Sequence, residues 1–329
     1  MRPNTDRRPE YPLLPFERHP ENPVIEPDPD SEWESANRYN PTVLAEDGVV
    51  KMLYRAEGPD GTSRIGYATS TDGVHFDCRP DPLIEPEHDY ETPGGCEDPR
   101  LTEIDGTYYL TYTGYDGTNA LLCLATSGDL ETWEKHGPLF PELNGPAASG
   151  AIGALGGDNP MFADVGAFDP NAEYRWNKAG AILPEPIDGR YVMYLGVPDV
   201  WFAESRDLRH WSLGSLEDPV IPREACPYGR ELVEPGPAPM LTAGGDILLV
   251  FAAYDGEQYR ASQALVSGED PTELLGMLDE PFLGPATDAA REGHVDNVVF
   301  PSGLVAHEGT VYLYFGMADS RIGVATHAP

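Results

Sequence analysis

The chain has 329 residues and a formal net charge of −35, and only Lys51, Lys135 and Lys178 of its 21 basic residues are lysines. A surface of this charge repels the phosphates of nucleic acids and of anionic membranes, so neither is expected as a partner. The same surface suits molar salt, where the Debye length falls to about 3 Å and self-repulsion is screened, so we predict a salt-adapted protein.

The first residues carry no export signal. Residues 1–8 lack an apolar run, and no stretch of the chain is long and apolar enough to span a bilayer. The four cysteines show no metal-binding spacing, and no phosphate-binding glycine loop or dinucleotide motif is present. We therefore expect a cytoplasmic protein with reduced thiols, no metal and no cofactor, in which residues 1–20 wrap around the outside of the fold.

A fivefold repeat organises the rest of the sequence. A turn with glycine precedes an apolar or aromatic strand at Asp47-Gly48, Asp105-Gly106, Asp188-Gly189, Gly244-Gly245-Asp246 and Glu308-Gly309. Each of these turns predicts a β-hairpin. Three units add a serine, an aspartate and a terminal aromatic at constant spacing, which ends at Phe76, Trp133 and Trp211; the serine and aspartate are expected to cap a turn. Several short strands per repeat predict an all-β fold, a five-bladed β-propeller that forms a single domain over residues 1–329.

Residues 138–177 separate the second and third repeats by more than the other gaps do. This segment includes a glycine-rich run at 150–157. We expect an inserted loop between blades 2 and 3 that covers the channel mouth or forms a contact in a homo-oligomer. A surface excursion without a function is the alternative.

The sequence Glu97-Asp98-Pro99-Arg100 opens the second predicted inner strand. It holds carboxylates beside a guanidinium, whose rigid fork of donors suits an anionic or hydroxylated ligand. The proline restricts the backbone at this point. Taken alone, such a cluster is also compatible with a salt-bridged turn.

Polar residues open all five predicted inner strands, which line the central channel of a propeller. They are Asn40-Pro41, Asp98-Pro99, Lys178 with Glu185-Pro186, Glu234-Pro235 and Asp296-Asn297. Such residues could merely hydrate a water-filled channel. However, carboxylates on separate blades, such as Asp98 and Glu234, are what glycosidic bond cleavage requires. One protonates the leaving oxygen and the other activates water, at about 6.5–9.5 Å separation in inverting enzymes.

The sequence resembles glycoside hydrolase family 130, the mannoside phosphorylases and β-1,2-mannosidases. The resemblance extends from residue 22 to residue 326. The motifs that carry it are, in order, Tyr54-Arg55-Ala56-Glu57, Ser63–Ser70, Glu97–Arg100, Ala179–Pro186, Gly236–Pro239, Asn297–Gly303 and Gly316–Asp319. The resemblance implies a five-bladed propeller, a manno-oligosaccharide substrate and Asp98 as the general acid, acting through a sugar hydroxyl. It also implies sugar contacts by Asn40, Arg55, Arg64, Arg100 and Asp319. We add Tyr112, Lys178, Asp296 and Asn297 as further candidate substrate-binding residues.

The chain departs from the phosphorylase pattern around the expected phosphate site. The matching strand, Val250–Ala253, lacks the histidine of the phosphorylases, and Tyr194–Val197 lacks their arginine. Glu234 stands where they typically carry glycine. A carboxylate disfavours a bound anion and can serve as a base toward water. We therefore predict an inverting β-mannosidase with Glu234 or Glu185 as the general base. The alternative is a phosphorylase that uses inorganic phosphate as co-substrate and releases mannose 1-phosphate.

Two further alternatives remain at this stage. The arabinan- and xylan-cleaving propellers place an aspartate base on the first inner strand, where this chain has Asn40. A non-catalytic carbohydrate-binding propeller would need no paired carboxylates, so the presence of Asp98 and Glu234 argues against it.

Overall fold

The computed structural model describes residues 8–141 and 176–328. Their regular secondary structure is almost all β-strand, which confirms the all-β prediction. The helical elements described are one short helix, α1 (Asp288–Arg291), and two 3₁₀ turns, Asp89–Glu91 and Arg223–Ala225. In the same two ranges no helix has the length and apolar composition needed to cross a membrane.

The strands follow one another as antiparallel meanders. The first meander comprises β2 (Asn37–Glu46), β3 (Val49–Glu57), β4 (Ser63–Ser70) and β5 (Asp77–Cys78). The second comprises β6 (Gly95–Ile104), β7 (Thr107–Tyr115), β8 (Ala120–Ser127) and β9 (Glu134–Pro138). One parallel pair, Ser63 with Gly95, joins these eight strands into one sheet. Strand β10 (Trp176–Asn177) pairs in parallel with β8 as the ninth strand of that sheet.

Three further meanders form separate sheets. The third contains β11 (Ala181–Ile182), β12 (Tyr191–Leu195), β13 (Trp201–Ser205) and β14 (Trp211–Leu213). The fourth contains β15 (Leu232–Pro235), β16 (Met240–Leu241), β17 (Ile247–Tyr254), β18 (Tyr259–Val266) and β19 (Leu274–Met277). The fifth contains β20 (Val299–His307), β21 (Thr310–Met317) and β22 (Arg321–His327).

The N-terminal segment lies against the fourth and fifth meanders. Strand β1 (Glu17–Arg18) pairs antiparallel with β22. Leu13 exchanges two hydrogen bonds with the Gln263 side chain on β18. The first seven residues of the predicted wrap, and residues 142–175 of the predicted insertion, lie outside the described residues.

Four of the predicted glycine turns have the geometry that a tight hairpin requires. Asp47, Asp105, Asp188 and Glu308 have φ between 47° and 51°, and the glycine after each has φ between 73° and 84°. Two consecutive left-handed residues define the turn that matches the twist of antiparallel strands, and glycine adopts the second position without strain.

The serine–aspartate tags also cap turns as predicted. Asp72, for example, accepts hydrogen bonds from the backbone N–H groups of Val74 and His75, both at 2.8 Å.

The hydrophobic core is divided into clusters that lie between successive meanders. Representative buried pairs are Leu53 with Leu110, Leu122 with Met193, Tyr194 with Phe251, Val250 with Phe315, and Tyr314 with Met52. The last of these pairs joins the fifth meander to the first. Each meander therefore packs against the one before it and the one after it in a cyclic order.

Candidate functional site

Two matched bulges turn polar side chains out of the first strands of the first two meanders. The register of β2 with β3 shifts between Tyr39 and Thr42, and that of β6 with β7 shifts between Glu97 and Arg100. Asn40 and Asp98 have φ values of 46° and 49°, and each precedes a proline. Asparagine and aspartate tolerate this left-handed conformation better than most residues, and proline fits a strand only at an edge or a bulge.

A cavity of about 170 Å³ lies beside these bulges and receives side chains from every meander or its flanking segments. Its polar lining consists of Asn40, Arg55, Glu97, Asp98, Lys178, Glu234, His294 and Asp319. The aromatic and aliphatic lining consists of Tyr39, Tyr115, Trp176, Val197, Leu232, Tyr259, Val295, Val298 and Phe300. A concave site with a few convergent charged groups among apolar walls is typical of a small-molecule site.

Asp98 is surrounded by donors on both carboxylate oxygens. Its Oδ1 accepts hydrogen bonds from Asn40 Nδ2 at 2.8 Å and from Arg55 Nη1 at 3.3 Å, and Lys178 Nζ donates to Oδ2 at 3.3 Å. Burial alone would raise the pKa of Asp98. However, Lys178, Arg55 and Arg100, with the Asn40 amide, outweigh burial and hold that pKa well below its usual range. Asp98 is therefore a carboxylate in this site.

Lys178 links Asp98 to Glu234. It lies in the segment between β10 and β11, and its Nζ is also 3.3 Å from Glu234 Oε1, at ion-pair distance but without hydrogen-bond geometry. Glu234 is 2% exposed. Burial raises the pKa of Glu234 because Lys178 only partly offsets the loss of hydration. The pKa of Lys178 is itself raised, since attraction by Glu234 and Asp98 exceeds the effect of burial.

Arg55 on β3 lies at the centre of a second cluster of charges. Its Nη2 is 2.7 Å from Glu57 Oε1 and 2.9 Å from Glu97 Oε1, and its guanidinium stacks over the Tyr39 ring at 4.7 Å from the centroid. Glu57 also accepts hydrogen bonds from Tyr39 Oη at 2.6 Å and Ser63 Oγ at 2.9 Å. Burial opposes ionisation of Glu57, but Arg55 and these donors lower its pKa to about 2.

Glu97 and Asp319 differ from Asp98 in their charge state. Burial raises the pKa of Glu97 to about 7, with Arg55 opposing the rise and Asp98 adding to it. Burial likewise raises the pKa of Asp319 to about 7, against the attraction of Arg55. The site therefore combines an ionised carboxylate with two carboxyl groups that titrate near neutrality, a pattern common at catalytic sites.

Six of the predicted site residues line this one cavity: Asn40, Arg55, Asp98, Lys178, Glu234 and Asp319. Arg100 lies behind it and is 2% exposed. Its Nε donates to the Gly236 carbonyl at 2.6 Å and its Nη2 to the Pro235 carbonyl at 3.3 Å, so it fixes β15 against β6.

Arg64 and Tyr112 lie outside the cavity, contrary to expectation. Neither is among the lining residues, and each has partners elsewhere. Arg64 forms an ion pair with Asp60 at 2.8 Å. Tyr112 is fully buried in the core between the first two meanders and donates a hydrogen bond to Glu91 at 2.7 Å.

Glu185, Asp296 and Asn297 also lie outside the cavity. Glu185 follows β11 at the end remote from Lys178; its side chain is 40% exposed and lies 3.9 Å from Arg8. Asp296 is exposed in the turn before β20, where it accepts a hydrogen bond from the Gly293 N–H at 3.2 Å. Asn297 has φ of 61°, and its carbonyl accepts a hydrogen bond from the Tyr259 N–H at 3.0 Å. Of the two candidate bases, Glu234 lines the cavity and Glu185 does not.

Sequence reasoning gave no role to several residues of the lining. Tyr39 and Glu97 flank the bulged residues Asn40 and Asp98, so the repeated Asn/Asp-Pro pattern could have indicated them. Tyr259, Phe300 and Trp176 belong to ordinary aromatic strands and carry no local signal. Within the two described ranges, no group of three or more histidine, cysteine or acidic side chains is arranged to hold a metal ion.

A family model described as "Glyco_hydro_130: beta-1,4-mannooligosaccharide phosphorylase" matches residues 5–328. A 1,2-beta-oligomannan phosphorylase of Thermoanaerobacter sp. (strain X514) is 32% identical, over 95% of this chain and 97% of that protein. A beta-1,2-mannobiose phosphorylase from the same organism is 31% identical, over 92% of this chain and 94% of that protein. These matches confirm the resemblance inferred from the motifs.

A solved structure is similar over nearly the whole chain. It has a TM-score of 0.83 and 33% identity, and the match covers 98% of this chain and 96% of that one. Its description reads "The GH130 family of mannoside phosphorylases contains glycoside hydrolases that target beta-1,2 mannosidic linkages in Candida mannan". By this description the family contains glycoside hydrolases as well as phosphorylases.

Proposed function

Because the chain belongs to glycoside hydrolase family 130, we propose that it is an enzyme that cleaves β-mannosidic linkages in manno-oligosaccharides, with β-1,2-linked mannosides as substrates. The names of the two Thermoanaerobacter relatives and the description of the similar structure support this substrate class. The cavity, with its charged groups and aromatic walls, supports a hydroxylated ligand.

We propose further that water attacks the anomeric carbon. The observation that carries this proposal is the position of Glu234, a buried carboxylate in the cavity whose counter-ion, Lys178, is already shared with Asp98. Four carboxyl groups line the cavity, Glu97, Asp98, Glu234 and Asp319, against the cations Arg55 and Lys178. A phosphate dianion would enter a site whose cations are already paired with carboxylates, at a Coulomb cost that water does not incur.

In the proposed mechanism, Glu234 as a carboxylate takes a proton from water while the water oxygen bonds to the anomeric carbon. The glycosidic C–O bond breaks, and the leaving oxygen receives a proton from the side of the cavity that holds Asp98. Water attacks the face opposite the leaving group, so the configuration of the released mannose is inverted.

Phosphorolysis with inversion is the second candidate. The relatives that are named phosphorylases favour it, and Lys178 and Arg55 provide cations within the cavity. In that reaction inorganic phosphate is the co-substrate and the product is mannose 1-phosphate.

Product analysis with and without phosphate separates the two reactions. β-1,2-Mannobiose is incubated with enzyme in phosphate-free buffer, and the released sugar and its anomeric form are followed by NMR. We expect free mannose with inverted configuration at a rate that does not change when phosphate is added. Accumulation of mannose 1-phosphate, with a rate that saturates in phosphate, would reject water as the attacking group.

We also propose that residues 1–329 form one five-bladed propeller. The support is the cyclic order of five of the core clusters, in which the fifth meander packs against the first. The pairing of β1 with β22 would then hold the two ends of the chain together. A crystal structure with five blades around one axis would establish this arrangement, and an open row of sheets would overturn it.

A further inference from the structure

The proton needed by the leaving group has no evident source on Asp98. Both Asp98 oxygens already accept hydrogen bonds, Oδ1 from Asn40 and Arg55 and Oδ2 from Lys178. A proton on either oxygen would face an N–H donor rather than an acceptor. The free site therefore holds Asp98 as a carboxylate, which cannot act as an acid until it acquires a proton.

Glu97, the preceding residue, is placed differently. Neighbouring residues in a regular strand face opposite sides, but the left-handed φ of 49° at Asp98 brings both Glu97 and Asp98 to the cavity. Glu97 is 9% exposed, and among the described residues its single hydrogen bond comes from Arg55 Nη2 to Oε1 at 2.9 Å. Its second oxygen, Oε2, is left without a donor, so it can carry a proton.

Burial raises the pKa of Glu97 to about 7, and the network around Arg55 shows why that cation does not cancel the rise. Glu57 takes the closer contact with the same Nη2, at 2.7 Å, and is satisfied by several donors, so it competes with Glu97 for the positive charge. The charged groups that face Glu97 are Arg55 and Glu57 from β3, Asp98 from its own strand, and Lys178 from the segment before β11. The phenol of Tyr39 on β2 faces the same cluster.

We infer that Glu97 holds the proton that Asp98 delivers to the leaving oxygen. The inference rests on the proposed glycosidic cleavage and adds the source of its acid. When substrate hydroxyl groups take over the donors on Asp98, Glu97 passes its proton to Asp98, and Asp98 passes it to the leaving oxygen. Glu97 and Glu234 then return to their starting states by exchanging one proton each with solvent. The pKa of Glu97, about 7, against the depressed pKa of Asp98, agrees with Glu97 as the holder of the proton in the free site.

The test compares Glu97→Gln with Glu97→Asp on two substrates as a function of pH. One substrate is β-1,2-mannobiose, whose leaving group needs a proton, and the other is an aryl β-mannoside with an acidic phenol, which does not. We expect Glu97→Gln to lower kcat on mannobiose by about 10²–10⁴-fold, the usual range for lost acid catalysis, with a much smaller loss on the aryl substrate. The wild-type kcat/KM should decline on the alkaline side with a midpoint near 7, and Glu97→Gln should abolish that limb.

The conservative variant Glu97→Asp distinguishes a role of Glu97 in proton transfer from a role in holding Arg55 in place. Glu97→Asp keeps a carboxyl group, so it should retain the alkaline limb and recover part of the rate. If Glu97 serves only to hold Arg55, then Glu97→Gln would slow both substrates equally and leave the limb in place, which would overturn the inference.

A second variant keeps the inference testable if Glu97→Gln fails to fold. Glu57→Gln removes the competitor for Arg55, so Arg55 should pair more fully with Glu97 and lower its pKa. The alkaline limb should then move to lower pH, and an unchanged limb would contradict the proposed role.

All assays are run with and without saturating phosphate. Since the leaving oxygen needs a proton in either reaction, release of mannose 1-phosphate would reject water as the attacking group without affecting the test of Glu97.

Discussion

Asn40 Nδ2 donates a hydrogen bond of 2.8 Å to Asp98 Oδ1, joining residues that are 58 positions apart in the sequence. Both residues occupy left-handed bulges that precede a proline, one in β2 and one in β6. The same local sequence pattern therefore builds two equivalent corners that meet at the cavity. Because this amide acts together with Arg55 and Lys178, Asp98 is held ionised and fixed in position before any substrate binds.

Replacement of Asp98 by asparagine should remove delivery of the proton while keeping the shape of the side chain. We expect kcat on β-1,2-mannobiose to fall by about 10²–10⁴-fold, with the smallest loss on aryl mannosides that have acidic phenols. Asp105→Asn is the matched control, since Asp105 has a similar φ of 51° but lies in a hairpin turn. Near-normal turnover of mannobiose by folded Asp98→Asn enzyme would remove Asp98 from the mechanism.

Glu234→Gln should abolish hydrolysis, because the amide cannot take a proton from water. The loss should fall on kcat for mannobiose and for aryl mannosides alike, since water attacks in both cases. Glu185→Gln serves as the control: its side chain is exposed and outside the cavity, so its kinetics should match those of the wild type. If Glu234→Gln changes KM and leaves kcat intact, Glu234 is a sugar ligand rather than the base.

Local sequence patterns were sufficient for the residues whose direction is set by a bulge. Asn40 and Asp98 could be identified because a proline after an amide or carboxylate marks a break in a strand, and Glu234 precedes a proline as well. Arg64 and Tyr112 lie outside the cavity because their side chains are engaged elsewhere, Arg64 with Asp60 and Tyr112 with Glu91, and such tertiary partners leave no sign in a sequence motif. Glu185 lies in a partly exposed bend after β11, outside the cavity, although it precedes a proline as Asp98 and Glu234 do.

The charge states could not be read from the sequence. Burial raises the pKa values of both Glu97 and Asp98, and Arg55 and Lys178, which come from different segments of the chain, lower them. The two adjacent carboxyl groups have pKa shifts of opposite sign because the cations outweigh burial at Asp98 but not at Glu97. The joining of two meanders by the single pair of Ser63 and Gly95 is likewise a tertiary feature without a sequence signal.

Removal of the Lys178 charge should alter the pH dependence of activity. Lys178 lowers the pKa of Glu234, so Lys178→Met should raise it. Since Glu234 acts as a base in its ionised form, the acidic limb of the kcat profile should move to higher pH. The variant should also lose about 3–5 kcal/mol of unfolding free energy, because two buried carboxylates lose their shared partner.

Lys51→Met is the matched control for Lys178→Met. It removes an ion pair with Glu46 in which both side chains are about a quarter exposed. Such a pair contributes about 0–1 kcal/mol, so denaturant unfolding should show a small change and the pH profile none. An acidic limb that does not move in Lys178→Met would show that Lys178 does not set the ionisation of the base.

The net charge of −35 predicts that salt stabilises the fold. Repulsion among exposed carboxylates raises the free energy of the compact state, and screening at molar salt confines it to about 3 Å. The Tm should therefore rise continuously with potassium chloride, and more steeply than in a neutral osmolyte that acts only by exclusion from the surface. Substituting exposed acids that lie far from the cavity, such as Glu217→Gln with Glu280→Gln, should reduce the slope. A Tm that is flat or falls with potassium chloride would show that the acidic surface has another origin.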